Sequence, residues 1–222
     1  MTLAPLPPHV QLTDAFPAAL HDRLIQWVTA NQARFFDACV FDRHSQDKMG
    51  AVDPSRRVAM VTGELGEIDR DLRGQFTAML GGIVEAIGYR GPAPAALELE
   101  IAAHGDGAHF FPHLDIPVGA GRRPLGAGAN EERVLSAVYY FHRLPTGFSG
   151  GGLKLFAFGR DDHVEGSGED RDAPSIELEP LDNSLVVFPS WVMHQVLPVS
   201  CPSGQFADYR FAVNCWFCRP AA

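Results

Sequence analysis

Two hydrophobic periods divide the chain. From Asp14 to Phe36, Leu20, Leu24, Trp27 and Val28 recur on one helical face, and Pro17 fits a first turn. Between Glu64 and Ile87 the period returns: Ile68, Leu72, Phe76, Met79, Leu80, Ile83, Val84 and Ile87 share a stripe, and Gly88 supplies a stop. After Pro94 the period falls from about 3.6 to 2. Leu97, Leu99 and Ile101 alternate with Glu98 and Glu100, as in a half-buried strand. Further strands are expected at Val134–Phe141, Leu153–Phe158, Ser175–Glu179, Ser184–Phe188, Val192–Leu197 and Tyr209–Phe217. A short one at Arg56–Thr62 would cover an outside edge. Ser45–Ser55 reads as loop. Two long breaks, Val118–Glu132 and the acidic Gly159–Pro174, are of a length that commonly carries function.

Helices first and short strands afterwards predict a mainly β fold, one antiparallel sandwich or barrel with supporting helices. The division falls near Pro94: residues 1–94 form an N-terminal helical support region packed on a β core at 95–222, one structural domain overall.

The 222 residues carry 18 Lys+Arg against 27 Asp+Glu, a net charge of −9, with no basic stripe, so no nucleic-acid or anionic-membrane partner is expected. No run of about 18 apolar residues suggests a membrane span. Met1–Val10 has neither a positive n-region nor a long apolar h-region, so a cytoplasmic protein is expected. The cysteines Cys39, Cys201, Cys215 and Cys218 are too scattered for a disulfide framework. Cys215 and Cys218 would face opposite sides of a strand, as packed thiols rather than a redox pair.

Most of the nine histidines read as structural or solvated: His9, His21, His44 and His163 lie in polar or terminal segments, and His142 follows a strand end without an obvious partner. His109 and His113 have helical metal spacing, but Pro112 and Phe110-Phe111 argue against a helix. His113-Leu114-Asp115 is different. In extended backbone its imidazole and carboxylate point to one side. His194 lies on the face of Val192 and Val196, out of place unless it meets a pocket. Two histidines and a carboxylate make the facial triad of non-haem iron(II) oxygenases, although a His–Asp pair at a turn would give the same H-x-D spacing. On the last strand Arg210, Ala212, Asn214 and Trp216 share a face. An arginine there needs an anion, and its fork suits the carboxylate of a small diacid or an acidic side chain of the protein.

The order of HFFPHLD (109–115), VLSAVYYF (134–141), GGGLKLF (150–156), LEPLDNSLVVFPS (178–190), HQVLPV (194–199) and RFAVNCWF (210–217) resembles the 2-oxoglutarate/Fe(II)-dependent dioxygenase superfamily, in its prolyl 4-hydroxylase-like branch. The resemblance spans about Leu97–Phe217. It implies a double-stranded β-helix core, of jelly-roll or cupin-like type, with N-terminal α-helices. It implies that His113, Asp115 and His194 hold Fe(II), and that Arg210 binds the distal carboxylate of 2-oxoglutarate. Tyr140 would line the cosubstrate pocket and bond that carboxylate, with Leu153, Val196 and Trp216 as walls and Asn214 beside them. Relatives usually carry a tyrosine about ten residues before the first histidine ligand; here that region holds His104. The interval from His194 to Arg210 is longer than in near relatives, and Pro202-Ser203-Gly204 reads as an inserted turn.

The implied reaction consumes 2-oxoglutarate and O2, with ascorbate as an accessory, and yields succinate, CO2 and a hydroxylated C–H. Asp115 argues for hydroxylation, because related halogenases have a small residue there. The substrate expected is a prolyl or similar residue in a peptide or protein. The alternatives are a free amino acid or small metabolite and, in another class, a non-catalytic cupin-like binding module.

Overall fold

The computed structural model describes residues 6–40, 50–116, 131–157 and 174–220. Its N-terminal part runs β1 (Val10–Leu12), α1 (Ala18–Ala30), β2 (Phe36–Asp37), β3 (Arg57–Val58), β4 (Met60–Thr62) and α2 (Ile68–Ile87). Then follow β5 (Ala96–His104), β6 (His109–His113), β7 (Glu131–Phe141), β8 (Ser149–Gly150) and β9 (Leu153–Phe156). The chain ends with β10 (Ser175–Leu178), β11 (Ser184–Pro189), β12 (His194–Val196), β13 (Val199–Ser200) and β14 (Arg210–Pro220).

Seven strands form the larger sheet in the order β1-β11-β7-β14-β5-β4-β2, and five form the smaller, β10-β9-β12-β6-β3. A separate pair, β13-β8, completes the sheets. The fold is mainly β, with sheets typical of a jelly-roll core. The alternation of β14 shows how it is layered. Phe211, Val213, Cys215 and Phe217 join the large apolar cluster containing Leu24, Trp27, Leu72 and Phe76 of the helices. Tyr140, Leu153, Leu155, Phe188, Val192 and Ala212 make a second cluster, reaching from the large sheet to the small one. Helices therefore cover one face of β7 and β14, and the other face looks into the space between the sheets.

The helical stripes are as the periodicity requires, but the first is shorter than expected. It begins after Pro17, which lacks a backbone N–H, and ends at Asn31; residues 32–34 turn as a 3-10 segment. In α2, Ile68, Leu72, Phe76 and Ile83 are buried. Gly88 ends it in the left-handed region at φ 69°, where Tyr89 N–H reaches the Val84 carbonyl. Phe76 meets Phe16 and Phe217 edge to face, at 5.3 Å and 6.2 Å between centroids.

Other expectations change in detail. Arg56–Thr62 is split at Ala59: β3 pairs with β6 in one sheet and β4 with β5 in the other. The expected Val192–Leu197 strand keeps only His194–Val196, because Val192 lies in a turn closed by its N–H on the Pro189 carbonyl. Glu98 and Glu100 were expected on a solvent face, but both line the space between the sheets. Alternation separates two faces without saying that one is open, and here both are covered. His21 is buried rather than solvated, bonded to Tyr139 at 2.8 Å and 3.2 Å from Asp182. His142 is buried too, and its N–H donates to Asp182. His44, His163 and the long breaks at 118–132 and 159–174 lie wholly or mainly outside the described residues. Among the described residues the four cysteines form no disulfide; Cys215 lies in the helix-side cluster and Cys218 is hydrogen-bonded toward Glu98.

Candidate active site

His113 is the last residue of β6, and its antiparallel partner is His194, the first of β12. Asp115 follows two residues later, tied by its N–H to the Ser190 carbonyl. The Nε2 atoms of His113 and His194 lie 4.0 Å and 3.6 Å from the Asp115 carboxylate oxygens. One donor atom from each residue falls within 4.8 Å of the others, so the three can converge on one ion. His113 Nδ1 donates to the Phe111 carbonyl at 2.8 Å, and His194 Nδ1 to the Val192 carbonyl at 2.9 Å. A carbonyl can only accept, so Nδ1 carries a proton, and Nε2 is the ring nitrogen left to face a metal. Asp115 Oδ2 accepts from the Ser136 hydroxyl at 2.6 Å, and Ser136 also meets Ser190.

Burial and the facing His194 hold the His113 imidazole down to about 3, so it is neutral at neutral pH, the ligating form. Burial pushes the Asp115 carboxyl up, but His194, His113 and the Ser136 hydroxyl outweigh it and keep it below its usual value.

At the other end of β14's inner face Arg210 is 1% exposed. Its guanidinium stands 4.8 Å above the Tyr140 ring, and Nη1 donates to His104 Nδ1 at 3.1 Å. Burial, then the charges of Arg210 and Arg57, hold His104 well below its ordinary value, so it accepts this bond as a neutral ring. Among the described residues no carboxylate pairs with Arg210, and its Nε and the Tyr140 hydroxyl, which lies beside the guanidinium, are buried with no other partner. Gly151 makes the room: a Cβ there would lie 2.6 Å from Arg210 Cδ. The extra length before Arg210 is taken up by β13, a turn closed by Gly204 N–H on the Cys201 carbonyl, and a 3-10 turn at Phe206–Asp208.

All ten residues expected at the site line one cavity of about 560 Å³: His113, Asp115 and His194, with His104, Tyr140 and Arg210, and with Leu153, Val196, Asn214 and Trp216. Sequence reasoning missed Ser136 and Phe110. Ser136 is four residues from Tyr140 on an otherwise apolar strand, a polar residue on the same face, and that was a usable signal. Phe110 stacks on His113 at 3.5 Å, a contact that needs the fold.

Three convergent donors, two of them imidazoles and one a carboxylate, fit a divalent iron. A buried guanidinium and phenol, both with unmatched polar atoms, fit the far carboxylate of a small diacid. Comparison with known proteins agrees. Residues 99–218 match the model of the 2OG-Fe(II) oxygenase superfamily. The chain belongs to this superfamily, a family that uses Fe(II), 2-oxoglutarate and O2. An uncharacterized PKHD-type hydroxylase of Synechocystis sp. is 34% identical over 122 residues, 55% of this chain and 36% of that relative. The chain thus matches little more than a third of that relative's length. A Pseudomonas putida prolyl-4-hydroxylase superposes with a TM-score of 0.60 and 22% identity, over 96% of this chain and 93% of that one. A Trichoplax adhaerens prolyl hydroxylase, solved with a hypoxia inducible factor peptide, gives a TM-score of 0.62 and 13% identity, over 95% and 83%. Both likenesses bear on the fold. Among the described residues, no helix is long and apolar enough to cross a membrane.

Proposed function

We infer that this dioxygenase hydroxylates an unactivated C–H of a prolyl or similar residue in a peptide or protein. The observation that carries the reading is one cavity with the His113/Asp115/His194 triad in its wall and, at one end, a buried Arg210 that no carboxylate pairs with among the described residues. The prolyl hydroxylase structures of the same fold supply the substrate class.

His113 and His194 would hold iron through Nε2, their rings fixed by the Nδ1–H bonds to Phe111 and Val192. Asp115 would be the third ligand, aimed by Ser136. Arg210 would grip the distal carboxylate of 2-oxoglutarate with its fork, and Tyr140 would donate its hydroxyl to the same group. His104 keeps the guanidinium in place from behind. Leu153, Val196 and Trp216 would exclude water from the reacting end. When bound, iron with its cosubstrates supplies the oxidation: one oxygen of O2 enters the substrate C–H as hydroxyl, the other enters succinate, and CO2 leaves.

The test is to incubate the protein with iron(II), 2-oxoglutarate and a library of proline-containing peptides. The reading expects succinate and peptides heavier by one oxygen at proline. Succinate released with free amino acids but with no peptide would contradict the substrate class.

A further inference from the structure

Among the described residues, Phe110 is the phenyl ring held most closely against the triad. It stacks on the His113 imidazole, with 3.5 Å between centroids and 17° between planes. Its antiparallel partner on β3 is Arg57, whose Cζ lies 4.8 Å from the Phe110 centroid. An imidazole and a guanidinium thus fix the ring in place. Phe110 also lines the cavity, so the ring meets whatever the cavity holds.

Other aromatic rings near the site lack one of these two properties. Phe188 meets His194 at 4.7 Å, but it is fully buried in the apolar cluster that joins the sheets. Trp216 lines the cavity, but its link to the triad runs through Ser136, its partner across the ladder. Tyr140 lines the cavity against Arg210, at the cosubstrate end.

The reaction consumes O2 beside His113, and a substrate C–H receives one of the oxygen atoms. With no substrate in place, the C–H bonds of the Phe110 ring are the ones held against the triad and open to the cavity. We propose that Phe110 is a self-modification site, hydroxylated on its ring during turnover without substrate. The inference rests on the iron and cosubstrate assignments above and is independent of the peptide reading. Its balance is that of the main reaction. The O–O bond breaks. One oxygen enters between a ring carbon and its hydrogen and gives a phenol. The other enters succinate, as 2-oxoglutarate loses its C1 carboxyl group as CO2. The broken C1–C2 bond and the ring C–H each supply an electron pair, which together reduce O2 fully, so no further reductant is required. The new hydroxyl would put a polar group in the cavity wall beside His113, where the substrate has to fit. Substrate-free turnover therefore alters the site that performs it.

The whole protein, loaded with iron(II) and 2-oxoglutarate and given no substrate, is exposed to O2 labelled with heavy oxygen, digested and sequenced by mass spectrometry. The peptide that contains Phe110 should gain one labelled oxygen, located on that ring, and succinate should be released. With succinate supplied in place of 2-oxoglutarate, or with O2 withheld, the peptide should gain none. Phe110→Tyr carries such a hydroxyl from the start. In that variant, iron(II) added without O2 or cosubstrate should shift the ultraviolet tyrosine spectrum beyond the shift seen in the parent. Succinate released with no label on Phe110, or label on Phe111, Met193 or Trp216 instead, would overturn the proposal. So would neither succinate nor label with iron bound, or a Phe110→Tyr spectrum that bound iron moves no more than the parent's; both leave the triad standing. Failure to bind iron would fault the triad itself, and the modification site with it.

Discussion

His194 stands opposite His113 across the ladder of β12 and β6, their ring centroids 4.1 Å apart. Each imidazole turns back on its own segment and donates to the carbonyl two residues earlier. Their separation is thus set by strand pairing and their orientation by local backbone. Asp115 has left the strand and depends on a partner from elsewhere, Ser136 of β7.

That dependence makes Ser136 a positioning residue. Ser136→Ala should weaken iron(II) binding by about 10- to 100-fold, because the carboxylate loses its fixed rotamer. Anaerobic iron titration checks this, with melting temperature as the control for folding. Iron affinity equal to that of the parent would show that Asp115 holds its place without the serine.

Gly151 sits at φ 70°, with Arg210 Cδ where a Cβ would go. Gly151→Ala should cost about 1–2 kcal/mol in backbone strain alone. It should also push Arg210 aside and raise the 2-oxoglutarate concentration needed for half-saturation, leaving iron affinity near that of the parent. Denaturant unfolding and cosubstrate titration separate the two effects. A stability loss with cosubstrate affinity intact would mean that the guanidinium has room to move.

Asp182 anchors the network that ties α1 to β7. Burial pushes its carboxyl up, but the bond to His21 and the His142 N–H outweigh this and hold it below 3.8. A group with a lowered folded pKa stabilises above its unfolded value and loses that contribution as pH falls. The parent should therefore lose stability more steeply below about pH 4 than Asp182→Asn does. Urea midpoints across that range test it, and parallel curves would contradict it.

Much of this was legible in the chain. The helical stripes of Leu24–Val28 and Ile68–Ile87, the alternation of β14 and the H-x-D spacing rest on local periodicity, which survives into any fold. Arg210 was legible for a different reason, since a charge in an apolar strand needs a partner. What stayed hidden depends on which face is covered. Glu98 and Glu100 look like a solvent edge until the second sheet closes over them. His21 looks solvated until Asp182, in the turn before β11, and Tyr139 of β7 arrive from far along the chain. Phe110 and Arg57 gain meaning only through the pairing of β3 with β6.

The central claim is that the triad holds iron while Arg210 receives the far end of 2-oxoglutarate. Oxygen-free protein should be titrated with iron(II) and then 2-oxoglutarate, following the weak visible band of the chelate. The band should rise to saturation in the parent. In Arg210→Ala it should be missing at the same cosubstrate concentration, although iron still binds. No band in the parent, with iron unbound, would contradict the account at its root. A band unchanged in Arg210→Ala would remove that residue from the cosubstrate site.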